Sequence, residues 1–317
     1  MTLAAAPGAG PESTERRGWP RALALLAVAM ATAVVQPSVL VAVPLLALGA
    51  AFGVRRWGLV AATALAVLAV AGGGERDGLW YVERGWALLV GGWFAALTLR
   101  DPSAPFSRRA LGAVGGGAAA AALLLRWRSG AWSSVEWAVE DRLGRGLATA
   151  LQGVRLLRGG EGLTPGLESA VYETVQAQAT VFPALLGISS LAALGVAWWT
   201  FVRLAWGSDQ GLGTLRDFRF NDHLVWLFIA GVIILVTPWE EVMTRVGANA
   251  VVFMGALYAV RGAAVVLFLS GGLSIFSYVM LGLGLVFLPP LVLTGALVIG
   301  LGDTWLDVRR RGRRKAT

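Results

Sequence analysis

Long apolar runs separated by short polar connections are the feature that most constrains this sequence. Most runs are close to the ~20 residues that an α-helix needs to cross a ~30 Å hydrocarbon core. They are continuous, whereas the strands of a transmembrane barrel alternate apolar and polar residues. Only 15% of the residues are charged, against about a quarter in a soluble domain. The sequence therefore predicts an all-α, polytopic helical membrane protein.

Proline divides the first and the last of these runs. A single helix from 22 to 54 would be about 50 Å long, far beyond the hydrocarbon core, and Pro37 lies near its middle. The last run is interrupted at Pro289-Pro290. We therefore expect ten membrane segments, several of them short or broken at proline, or eight if either hairpin only dips into the membrane. Short, proline-interrupted segments also mark midplane sites in transporters.

The segment 126–180 differs from the rest in composition. Ser133 with Glu136 three residues later forms a capping-box pattern, followed by apolar residues at helical spacing among charged ones. Gly159-Gly160 predicts the end of that helix, and Thr164-Pro165 predicts the start of another. The segment is typical of an amphipathic hairpin at the membrane interface.

The chain accordingly divides into five parts. These are a disordered cytoplasmic N-terminus (1–20), N-terminal membrane helices (21–125), the amphipathic helices (126–180), C-terminal membrane helices (181–308) and a basic cytoplasmic tail (309–317).

Charge placement predicts the orientation and the surroundings of the chain. The net charge is +8, and most arginines lie in alternate connections and in the two tails. The positive-inside bias then places both termini in the cytoplasm, in the cytoplasmic (inner) membrane. No aromatic-plus-basic platform accompanies the charge, so we expect the lipid bilayer, and not nucleic acid, as its partner.

Several side chains and spacings have structural interpretations. Gly112 and Gly116 at four-residue spacing predict a close helix–helix seam. Tryptophans near helix ends, including Trp198-Trp199, are typical of interfacial belts. Glu83-Arg84 is expected at the interface rather than buried, and His223 is expected to cap or anchor the start of its helix.

The residue types also exclude several chemistries. There is no cysteine and one histidine, and the only lysine, Lys315, lies in the tail. Thiolate metal sites, a His-Glu-x-x-His zinc site and a Walker-type phosphate loop are therefore excluded. We expect no enzymatic activity, no catalytic residue, no metal and no cofactor.

One enzymatic alternative comes from Glu240-Glu241 and Arg245. Their Glu-Glu-x-x-x-Arg spacing resembles the glutamic intramembrane protease family, in which later histidines complete the site. No histidine follows position 223, and the acidic pair is expected in an outer loop.

Arg261 lies well inside an apolar run. A charge at the bilayer centre costs at least about 2.5–3.5 kcal/mol, so such a residue faces protein or water and is a candidate for function. Two alternatives relieve the cost: pairing with Asp303 or Asp307, or contact with an anionic ligand.

The C-terminal block also carries a resemblance. Asn249, the small-residue-rich helix before Gly262, the double-proline break and the run from Leu301 to Arg309 resemble the YybS-like family of predicted bacterial membrane proteins. That family is a domain of unknown function, and its helical layout is similar to the substrate-capturing subunits of energy-coupling-factor vitamin transporters. Where this sequence has Arg261, the family would be expected to have a neutral polar residue.

Three functions are therefore expected, in order. The first is a small-molecule-binding or transport subunit without its own ATPase, working with an energising or partner subunit. Its ligand site would comprise Gln36, Asn249, Tyr258, Arg261 and Asp303. The second is a scaffold that docks a partner through the hairpin 133–180, and the third is the intramembrane protease.

Overall fold

The computed structural model describes residues 19–32, 35–54, 56–72, 78–127, 130–157, 165–207, 212, 214–270, 275–307 and 309. Within these ranges the chain forms twelve α-helices and no strand, which confirms the all-α fold. They are α1 (Trp19–Thr32), α2 (Pro37–Phe52), α3 (Trp57–Ala71), α4 (Gly78–Arg100), α5 (Phe106–Trp127), α6 (Ala131–Leu157), α7 (Pro165–Thr180), α8 (Phe182–Trp206), α9 (Val225–Val236), α10 (Glu241–Leu269), α11 (Ile275–Phe287) and α12 (Pro289–Leu306).

Four of these helices, α5, α8, α10 and α12, are long and apolar enough to cross a membrane. Shorter apolar helices include α1, α2, α3 and the stretch Asp222–Val236. Both predicted proline breaks are confirmed, since Pro37 and Pro289 each begin a helix. The predicted N-terminal disorder and the basic tail lie outside the described residues, apart from Trp19, Pro20 and Arg309.

The chain separates into two compact units. The first comprises Met1–Ala179 and Leu186–Leu212, and the second comprises Thr180–Leu185 and Gly213–Thr317. In the first unit, α4 packs against α2, α5 and α6, and α2 also packs against α3. In the second, α10 is central and packs against α9 and α12.

The predicted glycine seam lies between α4 and α5. A Cβ on Gly116 would lie 2.9 Å from the ring of Trp93, and one on Gly112 would lie 3.0 Å from the Leu97 side chain. Both distances are shorter than ordinary van der Waals contact, so the absence of side chains lets the two helices approach. The close packing predicted from the spacing is confirmed.

The predicted interfacial role of Trp198-Trp199 is wrong. Both side chains are buried in α8. The Trp198 ring contacts Phe94 and Trp206 edge-to-face and stacks with Phe201. Aromatic rings bury a large apolar area and favour edge-to-face and stacked contacts. A tryptophan near a helix end can therefore belong either to an interfacial belt or to the core, and its position in sequence does not show which.

The predicted exposure of Glu83-Arg84 is also wrong. Glu83 is 1% exposed and Arg84 is 6% exposed. Arg84 donates to the carbonyl oxygens of Val70 and Gly72 (both 2.9 Å) and so caps the end of α3. Glu83 forms an ion pair with Arg142 of α6. The pair joins the amphipathic segment to α4, and it could not be predicted because its members lie far apart in sequence.

One predicted helix start and one predicted loop are corrected. The α6 helix begins at Ala131, and the Ser133 hydroxyl donates to the Gly130 carbonyl (2.8 Å), so Ser133 is not the N-cap residue of a capping box. The α10 helix begins at Glu241, eight residues before Asn249. Glu240 therefore precedes a helix directly, and the acidic pair lies at the helix start rather than in a separate loop.

Replacing Gly116 by leucine should destabilise the protein by about 1–3 kcal/mol, because the new side chain overlaps the Trp93 ring. Thermal unfolding in detergent, followed by circular dichroism, measures the effect. Gly115→Leu is the matched control, since nothing lies within 4 Å of the position that a Cβ would take there. Equal destabilisation by the two substitutions would contradict the seam.

Candidate functional site

A backbone-to-backbone crossing of α10 and α12 positions the candidate site. A Cβ added to Gly262 would overlap the carbonyl group of Ala296, and one added to Gly300 would overlap the carbonyl group of Tyr258. Only glycine fits at both positions, and the two helices therefore touch along their main chains. This approach brings the next turn of each helix within side-chain reach.

Arg261 lies at this crossing and is fully buried. Its Nε donates to Asp303 Oδ2 (3.1 Å), and its Nη1 donates to Asp222 Oδ1 (2.5 Å). Asp303 is also buried, whereas the Asp222 side chain is 58% exposed. The predicted pairing of Arg261 with Asp303 is confirmed, and Asp222 is a second partner that the sequence pattern did not indicate.

A second buried guanidinium completes the charged cluster, which we define as Asp222, Arg261, Asp303 and Arg309. Arg309 Nη2 donates to Asp303 Oδ2 (2.8 Å), the same oxygen that accepts from Arg261. Its Nη1 donates to the carbonyl oxygens of residues 216 (3.3 Å) and 218 (2.9 Å). One carboxylate oxygen therefore bridges two arginines, and the connection before α9 is tied to the end of α12.

Several buried polar atoms of this region have no hydrogen-bond partner among the described residues: Arg261 Nη2, Arg309 Nε, Asp303 Oδ1 and the Tyr258 hydroxyl, which interacts with the Thr304 side chain but does not reach hydrogen-bond geometry. An unsatisfied buried polar group costs about 1–3 kcal/mol, and more when it is charged. Such groups commonly bind ordered water or a ligand. The region therefore offers both hydrogen-bond donors and an acceptor to a polar ligand.

Tyr258 lies three residues before Arg261 on α10 and is buried. Its ring contacts Phe220 (centroids 5.1 Å apart) and Phe228 (6.0 Å). The guanidinium of Arg261 also lies 5.5 Å from the centroid of Phe220. The polar atoms are thus bordered by aromatic side chains, a combination typical of small-molecule sites.

Asn249 is held by other groups. Its amide nitrogen donates to the carbonyl oxygens of Thr180 and Arg245 (both 2.9 Å), and its amide oxygen accepts from the Ala184 backbone N–H (2.8 Å). It precedes Arg261 by about 18 Å along the helix axis. The structure does not bring Asn249 to the charged cluster, and its contacts instead fasten the start of α8 to α10.

Gln36 belongs to the first unit. It precedes α2 as its N-cap residue, and its backbone N–H lies 3.4 Å from Glu83 Oε1. Its side chain makes no capping hydrogen bond. Of the predicted ligand residues, Tyr258, Arg261 and Asp303 share one region of the second unit.

Two further predicted roles are corrected here. Asp307 pairs with Arg219 rather than with Arg261. The His223 side chain is exposed, and its backbone N–H donates to the Asn221 side chain (3.0 Å), so Asn221 is the capping residue. The short polar side chain at the first position of the turn is the signal that could have identified it.

The acidic pair of the protease alternative lies on the surface. The Glu241 side chain is 81% exposed and forms an ion pair with Arg245 one turn later (3.0 Å). Among the described residues, no group of three or more histidine, aspartate or glutamate side chains could hold a metal ion.

A family model described as "Predicted membrane protein (DUF2232)" matches residues 135–304. The matched range covers more than half of the chain and includes Tyr258, Arg261 and Asp303. No curated protein and no solved structure matches the chain. The match supports a membrane-protein family, and the finer YybS-like resemblance stays a prediction.

Asp303→Asn should destabilise the protein by about 3–5 kcal/mol, because it leaves two buried guanidinium groups without their shared carboxylate. Asp222→Asn should cost no more than about 1 kcal/mol, since that carboxylate is largely exposed. Denaturant unfolding of both variants measures the difference. Equal small effects would show that Asp303 does not hold the cluster together.

Gly262→Ala should destabilise the protein by at least about 1–3 kcal/mol, because its methyl group would overlap a main-chain carbonyl. A main-chain carbonyl cannot move aside as a flexible side chain can. Gly295→Ala, on α12, has open space at the same position and should be neutral or slightly stabilising. Thermal unfolding of the two variants compares them, and a neutral Gly262→Ala would refute the close crossing.

Proposed function

The chain belongs to the DUF2232 family of predicted membrane proteins, and we propose that it is a small-molecule-binding or transport subunit without an ATPase of its own. The observation that carries the proposal is the set of unpartnered polar atoms at Arg261, Asp303 and Tyr258. A purely structural ion-pair network would be expected to satisfy its buried donors and acceptors, because each one left open costs stability.

The charges of the cluster indicate the kind of ligand. Two guanidinium groups (Arg261 and Arg309) face two carboxylates (Asp222 and Asp303), so the formal charges cancel. The open positions are guanidinium donors, a carboxylate oxygen and a phenol hydroxyl. They suit a small neutral or zwitterionic molecule that offers at least one acceptor and one donor. A strongly anionic ligand would have to compete with Asp303.

Transport is the finer part of the proposal. The break between α11 and α12 at Leu288–Pro289 places the short apolar helix α11, of 13 residues, directly before α12, and short, proline-interrupted segments mark midplane sites in transporters. The likeness to substrate-capturing subunits of energy-coupling-factor transporters implies a separate energising subunit. We place the protein in the cytoplasmic membrane with both termini inside, following the distribution of arginine.

The scaffold alternative is supported by α7. None of its described side chains is buried, and Tyr172 is 52% exposed. An exposed amphipathic helix can lie on lipid or bind a partner. Replacing residues 165–179 with a flexible linker tests the scaffold against the small-molecule site. The replacement removes most of α7 but keeps Thr180, whose carbonyl oxygen accepts a hydrogen bond from Asn249. The small-molecule proposal predicts unchanged ligand occupancy, whereas the scaffold predicts loss of a partner subunit.

Native mass spectrometry of the purified protein should detect a co-purifying small molecule whose occupancy is lower in Tyr258→Phe. This substitution keeps the aromatic contacts with Phe220 and Phe228 and removes only the unpartnered hydroxyl. Folding should therefore be unchanged or improved. A charge-assisted or neutral hydrogen bond to the ligand is worth about 0.5–3 kcal/mol, so affinity should fall between about twofold and 150-fold.

Arg261→Ala should abolish ligand binding, and Arg219→Ala is the matched control because its ion pair is half-exposed. Unfolding curves recorded alongside show whether each variant is folded. A protein that carries no small molecule, or one whose ligand is retained at full affinity by both Tyr258→Phe and folded Arg261→Ala, would overturn the proposal.

A further inference from the structure

A buried arginine in the first unit lies among aromatic rings and is not used by the charged cluster of the second unit. Arg109 is 6% exposed. Its guanidinium carbon lies 4.5 Å from the ring centroid of Trp198 and 5.8 Å from that of Phe94. Its Nε and Nη1 atoms are buried and have no hydrogen-bond partner among the described residues.

The aromatic contacts stabilise this charge only in part. A guanidinium over an indole face gains a cation–π interaction, but its in-plane N–H groups point away from the ring face and still require acceptors. The carboxylate of Asp101 attracts the guanidinium electrostatically, but no described residue accepts a hydrogen bond from these two nitrogens. Asp101 Oδ1 accepts from the Ser103 backbone N–H (3.2 Å), the Ser103 hydroxyl (2.7 Å) and the Ala104 backbone N–H (3.1 Å).

Two features around Arg109 add to its attraction for an anion. It is the fourth residue of α5, so it lies in the first turn of a helix of 22 residues, where the helix dipole is positive. The arginine distribution places this α4–α5 connection on the cytoplasmic side, at the level of phospholipid head groups. The guanidinium fork matches the spacing of two phosphate oxygens.

We propose that Arg109, backed by Trp198 and Phe94, binds a phosphate oxyanion at the start of α5. Two adjacent N–H groups of one guanidinium, on Nε and on a terminal nitrogen, can donate hydrogen bonds to two oxygens of the same phosphate, while the ring face of Trp198 stabilises the cation from one side. The phosphate can come from the head group of an anionic phospholipid or from free phosphate, and the two sources are distinguished below.

The test compares ligands on the full-length protein in detergent micelles. Native mass spectrometry measures the affinity for phosphatidylglycerol, with diacylglycerol as a lipid that lacks phosphate, and thermal unfolding is recorded with inorganic phosphate. Wild type should bind phosphatidylglycerol at least tenfold more tightly than Arg109→Gln, with no such difference for diacylglycerol. Arg108→Gln removes a neighbouring charge that is more accessible than Arg109, and it should bind like wild type.

The lipid affinities and the unfolding midpoints together identify the source of the phosphate. A lipid site gives the tenfold difference for phosphatidylglycerol without stabilisation by millimolar inorganic phosphate. A free-phosphate site gives a raised midpoint of thermal unfolding in wild type that is absent in Arg109→Gln. If neither ligand distinguishes Arg109→Gln from Arg108→Gln, the proposal is overturned and Arg109 is a packing residue.

A second variant covers the case in which Arg109→Gln does not fold. Arg109→Lys keeps the charge but replaces the two-donor fork with a point charge. Its affinity for the ligand that wild type prefers should fall at least threefold. Equal affinity of Arg109→Lys and wild type would contradict bidentate recognition.

Discussion

The main-chain contact between α10 and α12 is the constraint on which the second unit depends. Gly262 and Gly300 leave no room for a Cβ, so the two helices are fixed in register at that point. Register then decides the chemistry beside the contact, where Arg261 meets Asp303. A crossing only slightly wider would break this buried ion pair and leave Arg261 to the half-exposed Asp222 and Asp303 to Arg309. Breaking a buried ion pair costs about 3–5 kcal/mol.

Three of the buried arginines show three ways in which a buried guanidinium is stabilised. Arg84 donates to main-chain carbonyl oxygens at the end of α3 and is thereby a helix cap. Arg261 is neutralised by carboxylates. Arg109 lies against the ring face of Trp198, and two of its nitrogens have no hydrogen-bond partner among the described residues. The first is fully explained by structure, whereas the other two retain unpartnered donors and are therefore the residues from which ligand binding is inferred.

Much of the helical layout could be predicted from the sequence because it depends on local rules. Proline at the first turn of a helix, apolar runs of limited length and glycine at four-residue spacing act over a few residues, and the breaks at Pro37 and Pro289 follow from them. The cost of burying Arg261 limits its partners to an anionic ligand or to the acidic residues that follow it, Asp303 and Asp307, and the structure pairs it with Asp303.

The remaining features depend on contacts between distant segments. The burial of Glu83 depends on Arg142, which α6 supplies from 59 residues away. Asn249 resembles a ligand residue in sequence, but its amide is occupied by the backbone around α8. Basic residues surround Arg309 in sequence and predict a cytoplasmic tail, whereas its burial against Asp303 depends on a contact with α12 that the sequence does not specify. Residue type and spacing do not specify such partners.

The most direct measurement of the central claim is a cryo-electron microscopy map of the protein as purified in lipid nanodiscs. We expect a non-protein density larger than water, within hydrogen-bond distance of Arg261 Nη2, Asp303 Oδ1 and the Tyr258 hydroxyl. A map in which these atoms bind only water, or in which protein groups satisfy them all, would contradict a small-molecule site and leave the cluster as a structural ion-pair network.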